Sequence, residues 1–155
     1  MPASMVLNYS CLPFHLLSLN ECYDLMALRQ EVFAVEQNCP YLDADGKDLH
    51  AHHLLGYGAT GKLLAYSRLL PRGVSYKDYP SFGRVVTSPA IRGTGQGRIL
   101  MEKTLEWMER LYGRQTIKIS AQCYLIPFYE SLGFQIVGKE YLEDGIPHIG
   151  MMKGL

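Results

Sequence analysis

The pattern of apolar and polar residues between positions 82 and 113 predicts a strand, a glycine-rich loop and a long helix. Arg84 to Ser88 is rich in β-branched residues, which favours a strand, and Pro89 ends it. From Arg98 to Tyr112, apolar side chains recur at helical spacing while charged side chains take the opposite side. The loop 92–97 therefore connects the strand to the first turn of the helix.

Patterns of apolar and polar residues also predict the helices and strands of the N-terminal half. Leu12 to Leu19 is typical of a strand, and Asn20 is a good N-cap for a helix that extends to about Glu36. Leu54 to Tyr57 and Leu63 to Leu70 flank a short turn and predict a hairpin.

After the long helix, Thr116 to Gln122 is predicted as a strand and Pro127 to Leu132 as a short helix, with proline in its first turn. Phe134 to Val137 indicates a further strand. An extended segment, a turn and a last strand then follow. The predicted order is β-α-β-β-β-α-β-α-β-β, an α/β arrangement with a mixed sheet and helices on both faces.

Composition narrows the class of protein. A chain of 155 residues favours one domain, here 1–155, and 15 basic residues balance 15 acidic ones. This balance favours neither nucleic acid nor an anionic membrane as partner. The four cysteines lack C-x-x-C pairing and the apolar runs are short. We therefore expect reduced thiols, a cytoplasmic location and no membrane span.

Two polar segments contain residue types that can bind metal ions. The acidic loop 43–48 resembles a calcium loop, but Lys47 stands where a ligand is needed and Asp48 where glycine is needed. A solvated or substrate-facing loop is the better interpretation. His50, His52 and His53 alternate along a strand and cannot all converge, so hydrogen-bonded strand histidines are expected. We predict no metal site.

The loop 92–97, Arg-Gly-Thr-Gly-Gln-Gly, has the chemistry of a phosphate cradle, and we use that name for it below. Free N–H groups and the positive end of a helix dipole attract anions, and absent side chains allow close approach. The glycine spacing fits neither the dinucleotide motif nor the P-loop, which requires Gly-Lys-Ser/Thr. The alternative is a loop that only makes a tight turn.

A family resemblance goes further than these patterns. The strand followed by Arg92-x-x-Gly95-x-Gly97 closely resembles the coenzyme A pyrophosphate signature of the GNAT superfamily of acetyl-CoA-dependent N-acetyltransferases, and Phe128 to Phe134 resembles its second signature. Segments 28–48 and 143–151 are similar to the ElaA-like branch. The resemblance implies an acyl-CoA N-acyltransferase fold with a six- to seven-stranded, splayed mixed sheet, and a homodimer is common in this family.

The resemblance also implies roles for residues. The cosubstrate would be acetyl-CoA, and the acceptor would be an amine on a small molecule or a peptide. Tyr129 would be the catalytic acid that protonates the leaving thiolate. The residues implied in cofactor binding are Val85, Val86, Thr87, Arg92, Gly93, Thr94, Gly95, Gln96 and Gly97.

The acceptor amine must lose a proton, because alkyl ammonium groups titrate near pH 10. Glu36, where the first helix ends, is the first candidate for the catalytic base. Asp45 and His148 are the other candidates on the acceptor side, and water could also serve. The sequence is also compatible with two further functions: an acyl-CoA sensor or scaffold without turnover, and a module that binds another phosphate ligand.

Overall fold

The computed structural model describes residues 5–154, in which seven strands and three α-helices follow the predicted order. The helices are α1 (Leu19–Arg29), α2 (Gln96–Tyr112) and α3 (Ile126–Ser131). The strands are β1 (Asn8–Pro13), β2 (His52–Tyr57), β3 (Leu63–Leu70), β4 (Ser81–Thr87), β5 (Ile117–Gln122), β6 (Gln135–Glu143) and β7 (Ile146–Lys153).

The strands form two antiparallel sheets, ordered β1-β2-β3-β4 and β5-β7-β6. The strands β4 and β5 begin side by side, where the amide of Lys118 donates to the carbonyl of Pro80 at 3.2 Å. No ladder joins β4 to β5 within residues 5–154. The predicted splay of the sheet is therefore the gap between these two strands.

Helices cover both faces, as the sequence predicts. On one face Leu100, Met101 and Met108 of α2 pack with apolar residues of both sheets. On the other face Leu25 and Leu28 of α1 pack against β2 and β3. Burying each of these side chains stabilises the fold by about 1.5–3 kcal/mol, so α2 is firmly fixed and its first turn has a defined position.

The prediction was wrong at the N-terminal strand and at the first cap. The strand ends at Pro13, earlier than predicted, because its pairing with β2 ends there and Phe14–Leu16 forms a 3-10 turn. The N-cap is Ser18, not Asn20: its hydroxyl accepts from the amide of Glu21, whose carboxylate accepts from the amide of Ser18. This reciprocal capping box satisfies two amides of the helix end.

The first helical run does extend to Glu36, but its last part is wider than an α-helix. Gln30–Glu36 is a π-helix, in which the amide of Gln37 donates to the carbonyl of Val32. The wider turn carries Glu36 to the edge of the gap between the sheets. π-Helical turns are rare in proteins, and those that occur are often found at functional sites.

The acidic loop, predicted to be solvated or substrate-facing, is only partly solvated: Ala44, Asp45 and Gly46 are exposed, and Asp45 lines a cleft. Its three aspartates pair with three arginines from α1, β3 and β4, and both Asp43 and Asp48 are buried. The ion pairs are Arg29 with Asp43 and Asp48, Arg68 with Asp45 and Asp48, and Arg84 with Asp43 and Asp45. These residues form a charge-balanced network, and buried charges are tolerated because they are paired in this way.

His53 extends this network and is the strand histidine that we expected. Its Nε2–H donates to the carbonyl of Asp48 at 3.0 Å, and its Nδ1 accepts from the Tyr66 hydroxyl at 2.7 Å. Burial lowers the pKa of His53, so the ring is neutral at physiological pH. None of the helices within residues 5–154 combines the length and apolar character that a membrane span requires.

Candidate active site

A cleft of about 1020 Å³ lies where β4 and β5 separate. It is lined by both strands, by the end of the π-helix, by the first turn of α2, by α3 and by the β6–β7 hairpin. The sheet edges that face the cleft leave main-chain groups of β4 without a partner strand. An extended ligand can pair with such an edge as an added strand does.

A β-bulge shapes the β4 side of this cleft. Tyr66 pairs with Val86 and Arg68 with Gly83, so Arg84 and Val85 together oppose the single residue between their partners. Arg84 has a φ of 49°, an uncommon conformation outside glycine, and its Nε donates to Asp43 at 2.8 Å. That ion pair holds the bulge. Val85 of the bulge and the next two residues, Val86 and Thr87, line the cleft, where the resemblance put the cofactor contacts.

The phosphate cradle has the geometry that an anion site needs. Gly93 and Gly95 have φ angles of 76° and 82°, and a Cβ atom built on either, or on Gly97, meets no atom within 4 Å. The chain therefore turns left-handed twice and then begins α2 with open space above its first amides. The first N–H groups of a helix in such a position can donate hydrogen bonds to an anion.

The remaining cradle side chains differ in what they contact. Gln96 is buried and its amide donates to the carbonyl of Met5 at 2.8 Å, which anchors the loop instead of reaching the cleft. Thr94 donates its hydroxyl hydrogen bond to the carbonyl of Ile91 within the loop. Arg92 is half exposed and lines the cleft. Of these three side chains, only that of Arg92 is positioned to touch an anion in the cleft.

Glu36, the first candidate for the base, lies beside the cradle. Its carboxylate forms an ion pair with the guanidinium of Arg92, and both side chains are about two-fifths exposed. The sequence could not indicate this contact, because the two residues are 56 positions apart. Glu36 is therefore next to the predicted pyrophosphate position and its charge is already matched.

Tyr129, the predicted acid, lies on the α2 side of the cleft. Its ring packs against Phe82, Phe128 and Phe134, with centroid distances of 5.5–6.3 Å. Burial raises the pKa of Tyr129 to about 12, so the phenol keeps its proton at neutral pH. The residue lines the cleft, so that proton is available to a group held there.

Asp45 is committed to the arginine network. Arg68 donates two hydrogen bonds to its carboxylate, at 2.8 and 2.9 Å. Although partial burial opposes the effect, these contacts with Arg68 hold the pKa of Asp45 at about 2. A carboxylate with so low a pKa is a poor base at neutral pH, although it lines the cleft and could still attract a cation.

His148 lines the cleft from β7 and is buried. Its Nδ1 lies 2.7 Å from the carbonyl oxygen of Ile146, its Nε2 lies 3.3 Å from a carboxylate oxygen of Glu143, and its ring stacks on Tyr141. Glu143 and Tyr141 were not among the predicted site residues, although both lie in the extended segment predicted before the last strand. Alternation in β6 would have placed both on one face.

The lining of the cleft is of two kinds. The cradle and the aromatic cluster around Tyr129 form one part of it, and a polar region with Tyr76, Tyr141, Glu143 and His148 forms another. The tip of the β6–β7 hairpin is tied to the loop after the π-helix, since the Cys39 thiol donates to the carbonyl of Asp144 at 3.1 Å.

Comparison with protein families gives the same picture. Residues 48–155 match the acetyltransferase (GNAT) domain. A UPF0039 protein of Synechocystis is 45% identical over 148 residues, which are 96% of each chain. ElaA of Escherichia coli is 44% identical over 139 residues, covering 88% of this chain and 90% of ElaA.

Solved structures agree. A crystal structure of an acyl-CoA N-acyltransferase from Pseudomonas aeruginosa has a TM-score of 0.88 and 45% identity, covering 95% of this chain and 99% of the other. The crystal structure of Escherichia coli ElaA has the same TM-score with 41% identity, covering 96% and 99%. The chain therefore has the acyl-CoA N-acyltransferase fold and belongs to the GNAT acetyltransferase family, in the group that contains ElaA.

Proposed function

We propose that this protein transfers the acetyl group of acetyl-CoA to a primary amine of a small molecule or peptide. The amine attacks the thioester directly, through a tetrahedral intermediate. The observation that carries this proposal is the single cleft that joins an open phosphate cradle, the unpaired edge of β4 and a protonated tyrosine. Members of the family use acyl-CoA, and acetyl-CoA is the member of that class that we propose here.

The cradle residues fit the diphosphate of coenzyme A. The first amides of α2 would donate to the phosphate oxygens, and Arg92 would add a charged contact. A ligand phosphate competes with Glu36 for the Arg92 guanidinium, and the exposure of both side chains makes that exchange inexpensive. The pantetheine arm would lie along Val85, Val86 and Thr87 and hydrogen-bond with their main chain.

The protein then assists the transfer in three ways. A main-chain N–H at the point of splay stabilises negative charge on the carbonyl oxygen. The hydroxyl of Tyr129 donates its proton to the sulfur as the carbon–sulfur bond breaks. A base, or water, takes a proton from the acceptor ammonium so that its nitrogen lone pair can form the new carbon–nitrogen bond.

Glu36, Asp45 and His148 stay our candidates for contacts with the acceptor amine. Their surroundings differ: Glu36 pairs with Arg92, Asp45 pairs with Arg68, and His148 faces the carboxylate of Glu143. That the chain 1–155 is one domain, forms a homodimer and acts in the cytoplasm stay predictions from the sequence.

Two measurements test the proposed function. Isothermal titration calorimetry with acetyl-CoA should give a saturable heat, and release of free thiol from acetyl-CoA should depend on an added amine. Absence of binding by the folded protein would overturn the proposal. Binding without thiol release across a panel of polyamines, amino sugars, amino acids and peptides would instead favour the sensor or scaffold function.

A further inference from the structure

The acid and the acceptor-side groups lie on opposite faces of the β5-β7-β6 sheet. Ala121, Ile149 and Met151 point into the same apolar cluster as Tyr129. Side chains alternate along a strand, so His148 points to the other face, as do its cross-strand neighbours Gln122 and Tyr141. A group at the gap between β4 and β5 is thus open to Tyr129 from one side and to His148 from the other.

The backbone fixes which nitrogen of His148 carries the proton. The carbonyl oxygen of Ile146 can only accept a hydrogen bond, so the nitrogen 2.7 Å from it, Nδ1, must be the donor. In the neutral ring the lone pair is then on Nε2. The same reasoning gives the opposite result for His53, whose Nε2 donates to a carbonyl and whose Nδ1 accepts from Tyr66. Of these two histidines, only His148 presents a ring nitrogen with a free lone pair to the cleft.

The neighbour of that nitrogen is a carboxylate. Glu143 approaches Nε2 to 3.3 Å, and its side chain is half exposed on the cleft rim. When the ring is neutral, Nε2 and the carboxylate are both hydrogen-bond acceptors, and a donor placed beside them can bond to both. An ammonium group has three N–H donors and a positive charge, so it can donate to Nε2 and to the carboxylate at once. The pair is complementary to a protonated primary amine.

We propose that His148 is the general base of the transfer, acting through Nε2, and that Glu143 binds the acceptor while it is still an ammonium ion. This assignment rests on the proposed function. It favours an acceptor that arrives as an unhindered primary alkylammonium, since a substituent on nitrogen would remove one of the N–H donors. Glu36 and Asp45 are less suited, because arginine side chains already occupy their carboxylates.

The protons balance in this scheme. The first leaves the ammonium for Nε2 of His148 and passes to solvent. The neutral nitrogen then bonds to the carbonyl carbon, and the carbon–sulfur bond breaks. Tyr129 gives a proton to sulfur, and the second N–H proton of the attacking nitrogen restores the tyrosine. The products are the acetamide, free thiol and one proton released to water.

The charged and titratable groups around His148 define what a pH profile reports. Glu143 and Tyr141 face it from β6, and Tyr76 lies near both of them across the cleft. Lys118 of β5 lies over the ring of Tyr76, 4.9 Å from its centre. If replacing His148 changes the pH–rate profile, the same profile of Glu143→Gln is needed to assign the change to His148 and not to Glu143.

The test replaces the base and varies the basicity of the acceptor. With the best alkylamine of the panel, His148→Gln should lower kcat at pH 7 by roughly 10²- to 10⁴-fold. With the fluorinated analogue of that amine, which is already neutral at pH 7, the loss should be within about tenfold because no proton needs to be removed before attack. Exposed His15 gives a matched control, and His15→Gln should leave both rates unchanged.

Binding and spectroscopy complete the test. Acetyl-CoA should bind His148→Gln with an unchanged Kd, and Glu143→Gln should raise the KM for the amine up to about tenfold with little change in kcat. Nitrogen-15 NMR of the imidazole should show His148 protonated on Nδ1 when the ring is neutral. That last measurement needs no substrate.

Different failures have different meanings. An Nε2–H tautomer, or equal losses with the basic and the neutral amine, would overturn the base assignment and leave the transferase proposal intact. Selective rescue of Glu36→Gln by the neutral amine would transfer the role to Glu36. Failure of the wild-type protein to bind acetyl-CoA would overturn the proposed function, and the base assignment with it.

Discussion

Gly97 offers a perturbation that separates ligand binding from folding. It is the second residue of α2, it has no positive φ, and a Cβ atom built on it meets nothing within 4 Å. Glutamate therefore fits there without strain. Gly93 and Gly95 are less useful, because their positive φ angles would strain any other residue.

The two expected effects of Gly97→Glu have opposite signs. Removing a helical glycine stabilises the fold by up to about 1 kcal/mol, and a carboxylate in the first turn adds about 0.3–1 kcal/mol through the helix dipole. Together these shift Tm upward by about 3–6 °C for a chain of this size. A carboxylate about 6 Å from one phosphate charge costs about 3 kcal/mol at an effective dielectric constant of about 20, which weakens acetyl-CoA binding roughly a hundredfold.

Calorimetric titration with acetyl-CoA and thermal unfolding without ligand measure the two effects on the same samples. Gly97→Ala is the matched control, since it stabilises the helix without adding charge and should change Kd by less than about fivefold. Added salt should narrow the difference in Kd between the two variants. If Gly97→Glu is folded and binds acetyl-CoA within a few-fold of the wild type, the diphosphate does not lie in the cradle.

Three further predictions follow from single contacts. Tyr129→Phe should slow turnover by roughly 10²- to 10⁴-fold with an unchanged acetyl-CoA Kd, and normal turnover in stopped thiol-release assays would remove the tyrosine from catalysis. Glu36→Gln should tighten acetyl-CoA binding by up to about fivefold at low salt, because Arg92 loses its competing partner; weaker binding would mean that Glu36 positions Arg92. Asp45→Asn should remove a pH-dependent contribution of Asp45 to the free energy of unfolding. The folded pKa of Asp45 is about 2, which is below its unfolded value. The contribution is therefore about 2 kcal/mol above pH 4, and it is lost as the pH falls from about 4 to 2. Denaturant titrations at pH 6 and pH 2 measure it, and an equal difference at both would contradict the pairing with Arg68.

Local patterns carried the prediction of the fold a long way. The helical stripe of α2 and the β2–β3 hairpin follow from side-chain periodicity, which a helix or a strand imposes on its own residues. The N-terminal strand was misplaced because its bounds are set by pairing with β2, whose partner residues lie 39 to 49 positions further along the chain. Ser18 and Asn20 are both good caps by residue type, and only the bond between Ser18 and Glu21 selects the first.

For the site, too, some features follow from local sequence and others depend on residues that are distant in the chain. Glycine spacing after a strand predicted the cradle, because an anion site at a helix start is made by consecutive residues. The ion pair of Glu36 with Arg92, the arginines that surround Asp45 and the contact of His148 with Glu143 depend on where distant or neighbouring strands place their side chains. Burial and partners decide whether a carboxylate is a base, a counter-ion or a structural charge, and residue type does not contain that information.

The sequence by itself determined the order of elements, the glycine-rich loop before α2 and the family, since each depends on short-range spacing along the chain. The tertiary structure decided which partners each side chain in the cleft has. It did so because the bulge in β4, the π-helix and the β6–β7 hairpin bring groups from separate elements within hydrogen-bonding distance, and short-range spacing does not specify that proximity.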